Sequence, residues 1–345
     1  MSQKEGSMAS TEKTGAQEKA QPKTKEKTLF LLDVLRECTD EEHRMSVPEL
    51  VNELSLRGVN AERKGIYRDI EALRQHGEDI VQTPTGYYLG ERMLSVAELR
   101  LLISAVQAAY FITPARSGKL VDKLLHPASK YEARALRAQC NMGGVKCEND
   151  EVLRIIESLN MAIGERRQVS FAYYKRDVER RAVVQRSGRR YQASPYALIW
   201  MMDRYYLVCN MEGRDDLTHF RLDRMSSLRT EQQPWRHFSE VSEYKARFDQ
   251  ADYVKKCVNM FGDEVRRITL RCENALASDM FDRFGSDIVV SRESETHFRA
   301  FVNVSSGDGF LAWVAQWGPR VEILAPEDVR EAMKKRLLAA AGLYA

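Results

Sequence analysis

The chain has 345 residues, 43% of them hydrophobic and 30% charged, with a formal net charge of +3. That is more chain than one core organises, so two or three globular domains are expected. No stretch approaches the ~20 apolar residues of a membrane helix, and no apolar run follows the N-terminal basic residues, so neither a membrane protein nor a secreted one is expected and the cytoplasm is the default location.

Residues 1–25 carry almost no apolar side chains and should form a disordered tail. A first helix is expected around Leu29–Arg36. Ser46-Val47-Pro48-Glu49 reads as a second helix start, with serine at the cap, glutamate three positions on and proline in the first turn. Gly58 suits its stop, and Asn60 is the expected N-cap of a third helix over residues 61–75. In that helix Ile66, Ile70 and Leu73 share one stripe. Lys64, Tyr67, Arg68 and Glu71 lie opposite, and Arg63 and Arg74 flank them. Two short strand-like runs, Ile80–Gln82 and Tyr87–Leu89, enclose the turn Thr83-Pro84-Thr85-Gly86. Helix, helix, turn, helix, hairpin is the order of a winged helix-turn-helix, assigned to residues 26–92.

Residues 93–148 read as a helical linker, with a cap signal at Ser95–Glu98, two further helices and a loop or hinge at Gly143-Gly144. A helix over 150–166 then leads into residues 149–232, where five short β-like runs (171–174, 182–185, 191–200, 204–210 and 217–222) predict a small, strongly bent sheet or barrel. The last part, residues 233–345, has the order β-α-β-β-α-β of a ferredoxin-like domain, followed by a terminal helix after Pro326. The fold class expected is therefore α+β multidomain.

On the DNA side, the third helix of a helix-turn-helix enters the major groove. Lys64 and Arg68 are one turn apart on its open face and fit base edges. Arg63 and Tyr67 fit phosphates, and Thr83, Thr85 and Tyr87 of the hairpin fit the backbone or minor groove. The plainer alternative is a solvated basic face. Tyr87 and Tyr88 alternate, so one should be core and the other open.

Three motifs in this order resemble the WYL-domain family of regulators. They are Asp203-Arg204-Tyr205-Tyr206-Leu207 followed by Phe220-Arg221-Leu222-Asp223-Arg224-Met225; Tyr67-Arg68-Asp69-Ile70 on the third helix; and Trp317-Gly318 with Leu324-Ala325-Pro326 before a closing helix. Together they cover residues 27–344. The resemblance implies a DNA-binding transcription regulator whose WYL domain, an Sm-like β-barrel, senses a ligand, thought in some members to be a nucleotide or single-stranded nucleic acid. This chain departs from the pattern at Tyr205, where the motif has tryptophan, and at Gly65, where threonine is frequent.

The stretch 166–190 interleaves nine Arg and Lys residues with tyrosines and only Asp177 and Glu179 in opposition. Arginine forks suit phosphate and tyrosine faces suit bases; a hairpin whose arginines protect an edge strand is the alternative. Arg221 and Arg224 are the best ligand contacts, with Tyr196, Tyr205 and Tyr206 as walls. Asp223 should orient an arginine, and a purely structural Asp–Arg pair is the rival reading. The six cysteines form no C-x-x-C pair and should be free thiols, with Cys140 and Cys147 beside the Gly143-Gly144 loop as the one place for redox or metal chemistry. No nucleotide-loop, zinc-protease or hydrolase motif occurs, so no catalytic residue, metal site or cofactor is assigned. The expected assembly is a homodimer on double-stranded DNA, with the C-terminal domain and the helix after Pro326 as dimer surfaces. The rivals are an RNA- or single-strand-binding accessory protein without promoter control, and a protein-interaction scaffold.

Overall fold

The computed structural model describes residues 24–140, 144–260 and 264–345. The expected N-terminal tail up to residue 23, and Gly143 of the expected hinge, lie outside the described residues. The chain divides into two compact units. One holds the described residues through Ala105 and again from Lys119 to Cys140; the other holds Val106–Gly118 and all that follows residue 142.

The first unit contains α1 (Thr24–Cys38), α2 (Val47–Leu56), α3 (Arg63–Gln75) and a hairpin of β1 (Ile80–Thr83) and β2 (Gly86–Leu89). Ile66, Ile70 and Leu73 of α3 join Leu31, Leu35 and Leu50 in one core, as the 3.6-residue periodicity requires. The Glu49 carboxylate accepts from both the Ser46 amide (2.7 Å) and its hydroxyl (2.6 Å), which holds it below the usual carboxylate range and fixes the start of α2. Asn60 does not cap α3. The helix begins at Arg63 with extended Glu62 before it, and the Asn60 carbonyl accepts from Lys27 Nζ instead (2.7 Å). The helix starts two residues later than the Asn60 signal placed it, after extended Glu62, with no side-chain cap bond. Met45 pairs with Tyr87 through two backbone bonds, so the hairpin gains a third extended segment.

The chain continues as α4 (Val96–Ala108), α5 (Pro114–Leu125) and α6 (Lys130–Ala138). Within the first unit Ser129, at the head of α6, donates to Asp40 (2.6 Å), and His43 stacks on Tyr131 with ring centroids 3.6 Å apart.

In the second unit α7 (Val152–Glu165) buries Val152, Ile155 and Leu159 and ends at Arg166 in the left-handed region. It precedes β3 (Arg167–Arg176), β4 (Ala182–Val184), β5 (Tyr191–Met201), β6 (Arg204–Met211), β7 (Leu217–Arg221) and β8 (Met225–Pro234). The sheet runs β4-β3-β5-β6-β7, with β8 also on β3. Strand β3 shares its length among three partners and is bulged against β8, so the sheet curls. Strand β8 was not expected: Ser226, Ser227, Arg229, Thr230 and Glu231 offer no apolar alternation. After it, Trp235, Phe238, Tyr244, Phe248 and Tyr253, the last on the short α8 (Gln250–Lys256), pack with Tyr196, Ile199 and Val208 on one side of the sheet.

The remainder forms β9 (Val265–Glu273), α9 (Ala277–Phe284), β10 (Val289–Arg292), β11 (His297–Ser305), α10 (Asp308–Ala315), β12 (Val321–Ala325) and α11 (Glu327–Ala341). The antiparallel sheet has the order β10-β11-β9-β12, with Ile268, Leu270, Val302, Phe310 and Val314 in its core. The protein is thus a mixed helix-and-sheet chain with a curled sheet. Among the described residues no helix is long and apolar enough to cross a membrane, and no group of His, Cys, Asp and Glu has metal-binding proximity. All six cysteines are free thiols, five of them buried.

Candidate functional site

Two regions gather the predicted residues. The first is the outer face of α3. Because Ile66, Ile70 and Leu73 are buried, the helix turns Arg63, Lys64, Tyr67, Arg68 and Glu71 to the surface. Tyr67 is 43% exposed despite its ring, and its hydroxyl accepts from Arg63 (3.4 Å). Lys64 and Arg68 make no ion pair among the described residues. A Cβ at Gly65 would meet nothing within 4 Å, so the helix surface there is open.

Thr85 is exposed at the hairpin turn. Tyr87 is buried, with Arg74 over its ring, and does not reach the surface as one reading of the hairpin required; Tyr88 is the more open of the pair. The hairpin has no basic residue of its own. Its cation comes from Arg44, next to the Met45 bridge, which approaches Thr85 Oγ1 (3.5 Å) and lies 5.8 Å from the Tyr88 ring centre. Sequence reasoning missed Arg44 because a two-residue bridge has no periodicity.

The second region is a cleft of about 500 Å³ in the other unit, lined by Tyr110, Asn149, Tyr174, Lys175, Arg180, Arg221, Asp223 and Arg224 among others. Arg221 and Arg224, predicted together, do meet here. The pattern of strand alternation placed Asp223 on the Arg221 face of β7, but the strand stops at Arg221 and a tight 3₁₀ turn, Leu222–Arg224, carries the next residues. That turn buries Asp223 and aims both its oxygens at the Arg221 guanidinium (3.0 and 2.7 Å). Burial works against the Arg221 charge, and the Asp223 carboxylate more than offsets it, holding the guanidinium above its ordinary value.

Lys175, Arg180 and Arg224 have no ion pair among the described residues, so the cleft carries positive charge that the protein leaves uncompensated. Other arginines of the 166–190 stretch are already engaged. Arg176 pairs with Glu148, Arg181 with Asp177 and Glu179, and Arg190 donates to the Ser170 and Ser227 carbonyls. Tyr174 donates to the Asp223 carbonyl (3.0 Å); burial raises its pKa, with a further push from Asp223.

The three predicted tyrosines scatter. Tyr196 is buried against Trp235 and Phe248 and donates to the Arg236 carbonyl (2.7 Å), away from the cleft, with its pKa raised by burial. Tyr205 packs on Phe111. Tyr206, opposite Arg221 in the β6–β7 register, is half-buried; burial raises its pKa against the pull of Arg221. Tyr110, which no motif signalled, lines the cleft from the chain between α4 and α5.

A family model described as the WYL domain matches residues 154–230, and one described as the WCX domain matches residues 249–341. These matches support assignment to the WYL-domain family of transcriptional regulators. The WYL match contains Lys175, Arg180, Arg221, Asp223 and Arg224, whereas Tyr110 and Asn149 precede it. The chain is 21% identical over 290 residues to a Bacillus subtilis (strain 168) protein described as an uncharacterized HTH-type transcriptional regulator, YobV, covering 79% of this chain and 86% of that one. Among solved structures, proteasome accessory factor B/C (PafBC) of Arthrobacter aurescens is 17% identical with a TM-score of 0.28. That likeness covers 98% of this WYL protein, which spans about half (52%) of the PafBC chain. A CRISPR Cas-related protein is 18% identical with a TM-score of 0.35, covering 71% of this chain and 72% of that one.

Proposed function

We propose that this WYL-domain regulator binds double-stranded DNA through a winged helix-turn-helix formed by α1–α3 and the β1–β2 hairpin, with Arg63, Lys64, Tyr67 and Arg68 of α3 and Thr85 of the hairpin at the duplex. The observation that carries the reading is the division of α3 into a fully buried apolar stripe and an exposed face bearing unpaired Lys64 and Arg68. A solvated structural helix needs only the stripe. The hairpin beside it, with Arg44 over Tyr88, adds the second contact that a winged domain uses.

The curled sheet is then the Sm-like WYL barrel, and the Arg221 cleft its effector site. Three uncompensated cations beside tyrosine rings suit a phosphate-bearing ligand, a nucleotide or a short single strand. Asp223 serves to orient Arg221. The strand order β10-β11-β9-β12 supports a ferredoxin-like WCX region, which with α11 is the proposed dimer surface of a two-fold regulator. The effector acts by binding one DNA-binding state better than the other. The family and the B. subtilis relative favour regulation over catalysis.

Selection of bound duplexes from a random pool, followed by titration at two salt concentrations, tests this. The reading predicts a selected duplex whose affinity falls steeply with salt, since phosphate contacts release counterions. Binding to single strands alone would instead favour the accessory-protein reading, which the basic cleft by itself also supports.

A further inference from the structure

Tyr110 lies outside the WYL match yet forms part of the cleft wall. Two guanidinium groups lie over its ring: Arg204 at 3.2 Å from the ring centre and Arg221 at 5.9 Å. Arg221 has Asp223 to balance it. Arg204 has no carboxylate partner among the described residues, and its Nη1 is buried without a hydrogen-bond acceptor. The aromatic face is therefore the main compensation for a partly buried cation.

The backbone around Tyr110 is tied to the same turn that carries Asp223 and Arg224. The Cys147 amide donates to the Tyr110 carbonyl (2.8 Å), and Thr113 donates to Asp150 (2.7 Å). Lys146 Nζ donates to the Val106 and Ala109 carbonyls (both 2.8 Å), closing the C-terminal end of α4. From the same segment, Asn149 donates to the Asp223 and Met225 carbonyls (3.3 and 2.9 Å). Residues 146–150 thus staple the end of α4 and Tyr110 to the ligand-facing turn.

We infer that Tyr110 is the residue through which occupancy of the cleft reaches the DNA-binding unit, an inference that rests on the effector reading above. An anionic ligand in the cleft competes with the Tyr110 ring for Arg221, the one of the two guanidinium groups that lines the cleft, because a charge-assisted bond to an oxyanion is stronger than a cation–π contact. Loss of the Arg221 contact leaves the ring to Arg204 alone and lets it shift, and the staple carries the change to the end of α4, whose chain runs directly back into the first unit. The Tyr110 ring, shared between Arg204 and Arg221, is then the two-state element that both sites bias.

The test uses the full chain, its selected duplex and a fluorescein-labelled thymidine pentanucleotide as the effector probe, added to saturation for each variant. In wild type and Tyr110→Phe, which keeps the stack, the probe should change duplex affinity by at least about five-fold, and in Tyr110→Leu by less than about two-fold. Should Tyr110→Leu fail to fold, Arg204→Met, which keeps the long stem and removes the cation, should give the same loss of response. A full response in the folded Tyr110→Leu variant, or in Arg204→Met where that variant is used, overturns the inference while leaving the effector site intact. Failure of the wild-type chain to bind the pentanucleotide, or binding unaffected by Arg224→Ala, overturns the effector reading and this inference with it.

Discussion

Asp223 grips Arg221 through both carboxylate oxygens, at 3.0 and 2.7 Å, from a 3₁₀ turn that begins one residue after Arg221 ends its strand. The aspartate side chain is 6% exposed and the arginine 20%, so the carboxylate is enclosed and the guanidinium opens only toward the cleft. A pair so enclosed is costly to break from one side, since the remaining charge stays desolvated. Asp223→Ala should lower stability by about 3 kcal/mol, measured by urea unfolding. The Arg221→Ala, Asp223→Ala double variant should lose clearly less than the two single losses added together. Strict additivity would mean the two groups do not support each other.

The glycines of the first unit should respond in opposite directions. At Gly65, in the first turn of α3 with open space around it, alanine should raise stability by up to about 1 kcal/mol. At Gly86 a Cβ would come within 2.5 Å of the Met45 backbone, at φ +149°, so alanine should cost more than about 1 kcal/mol and loosen the hairpin. Thermal unfolding of both variants checks the pair, and equal effects would contradict the packing described for the Met45 bridge.

His219 sits on β7 with Nε2 2.6 Å from the Tyr253 hydroxyl, and burial depresses its pKa to about 4 from an ordinary 6.5. Below pH 6.5 the unfolded chain takes up a proton that the folded chain refuses until about pH 4. Its contribution to stability is therefore complete above pH 6.5, falls as pH drops, and is exhausted near pH 4. The loss over that window is on the order of 3 kcal/mol. His219→Gln should show a shallower decline in unfolding free energy between pH 6.5 and pH 4; a slope equal to wild type would mean the imidazole is solvated.

Much of this organisation is legible in the sequence wherever burial repeats at a fixed period. The Ile66, Ile70, Leu73 stripe identifies α3 and, by exclusion, its cationic face. The serine–glutamate pairs at 46/49 and 95/98 mark helix starts because each pair bonds locally. What escapes is held by distant partners. Asn60 does not cap because α3 starts only at Arg63, after extended Glu62, and β8 exists because β3 pairs with it rather than because its own residues are apolar. The aromatic residues from Trp235 to Tyr253 follow no period, since they fill the side of a sheet from an irregular chain. In the cleft, Arg221 and Arg224 were readable from the motif. Tyr196 was misplaced because a tyrosine on a strand points to either side, and Tyr110 carried no signal at all.

Arg44 should count at the duplex although no helix carries it. Arg44→Ala is expected to weaken duplex binding and to reduce the slope of log affinity against log salt by about 1, the signature of one lost phosphate contact. An unchanged slope would place the Tyr88–Arg44 contact away from DNA.

Duplex titration of Arg68→Ala beside wild type, with folding verified by circular dichroism, bears most directly on the account. The exposed face of α3 should lose its principal base-edge contact, and the dissociation constant for the selected duplex should rise by about ten-fold or more while discrimination among related duplexes relaxes. A folded Arg68→Ala chain that binds the selected duplex as tightly and as selectively as wild type would contradict the assignment of α3 as the reading element.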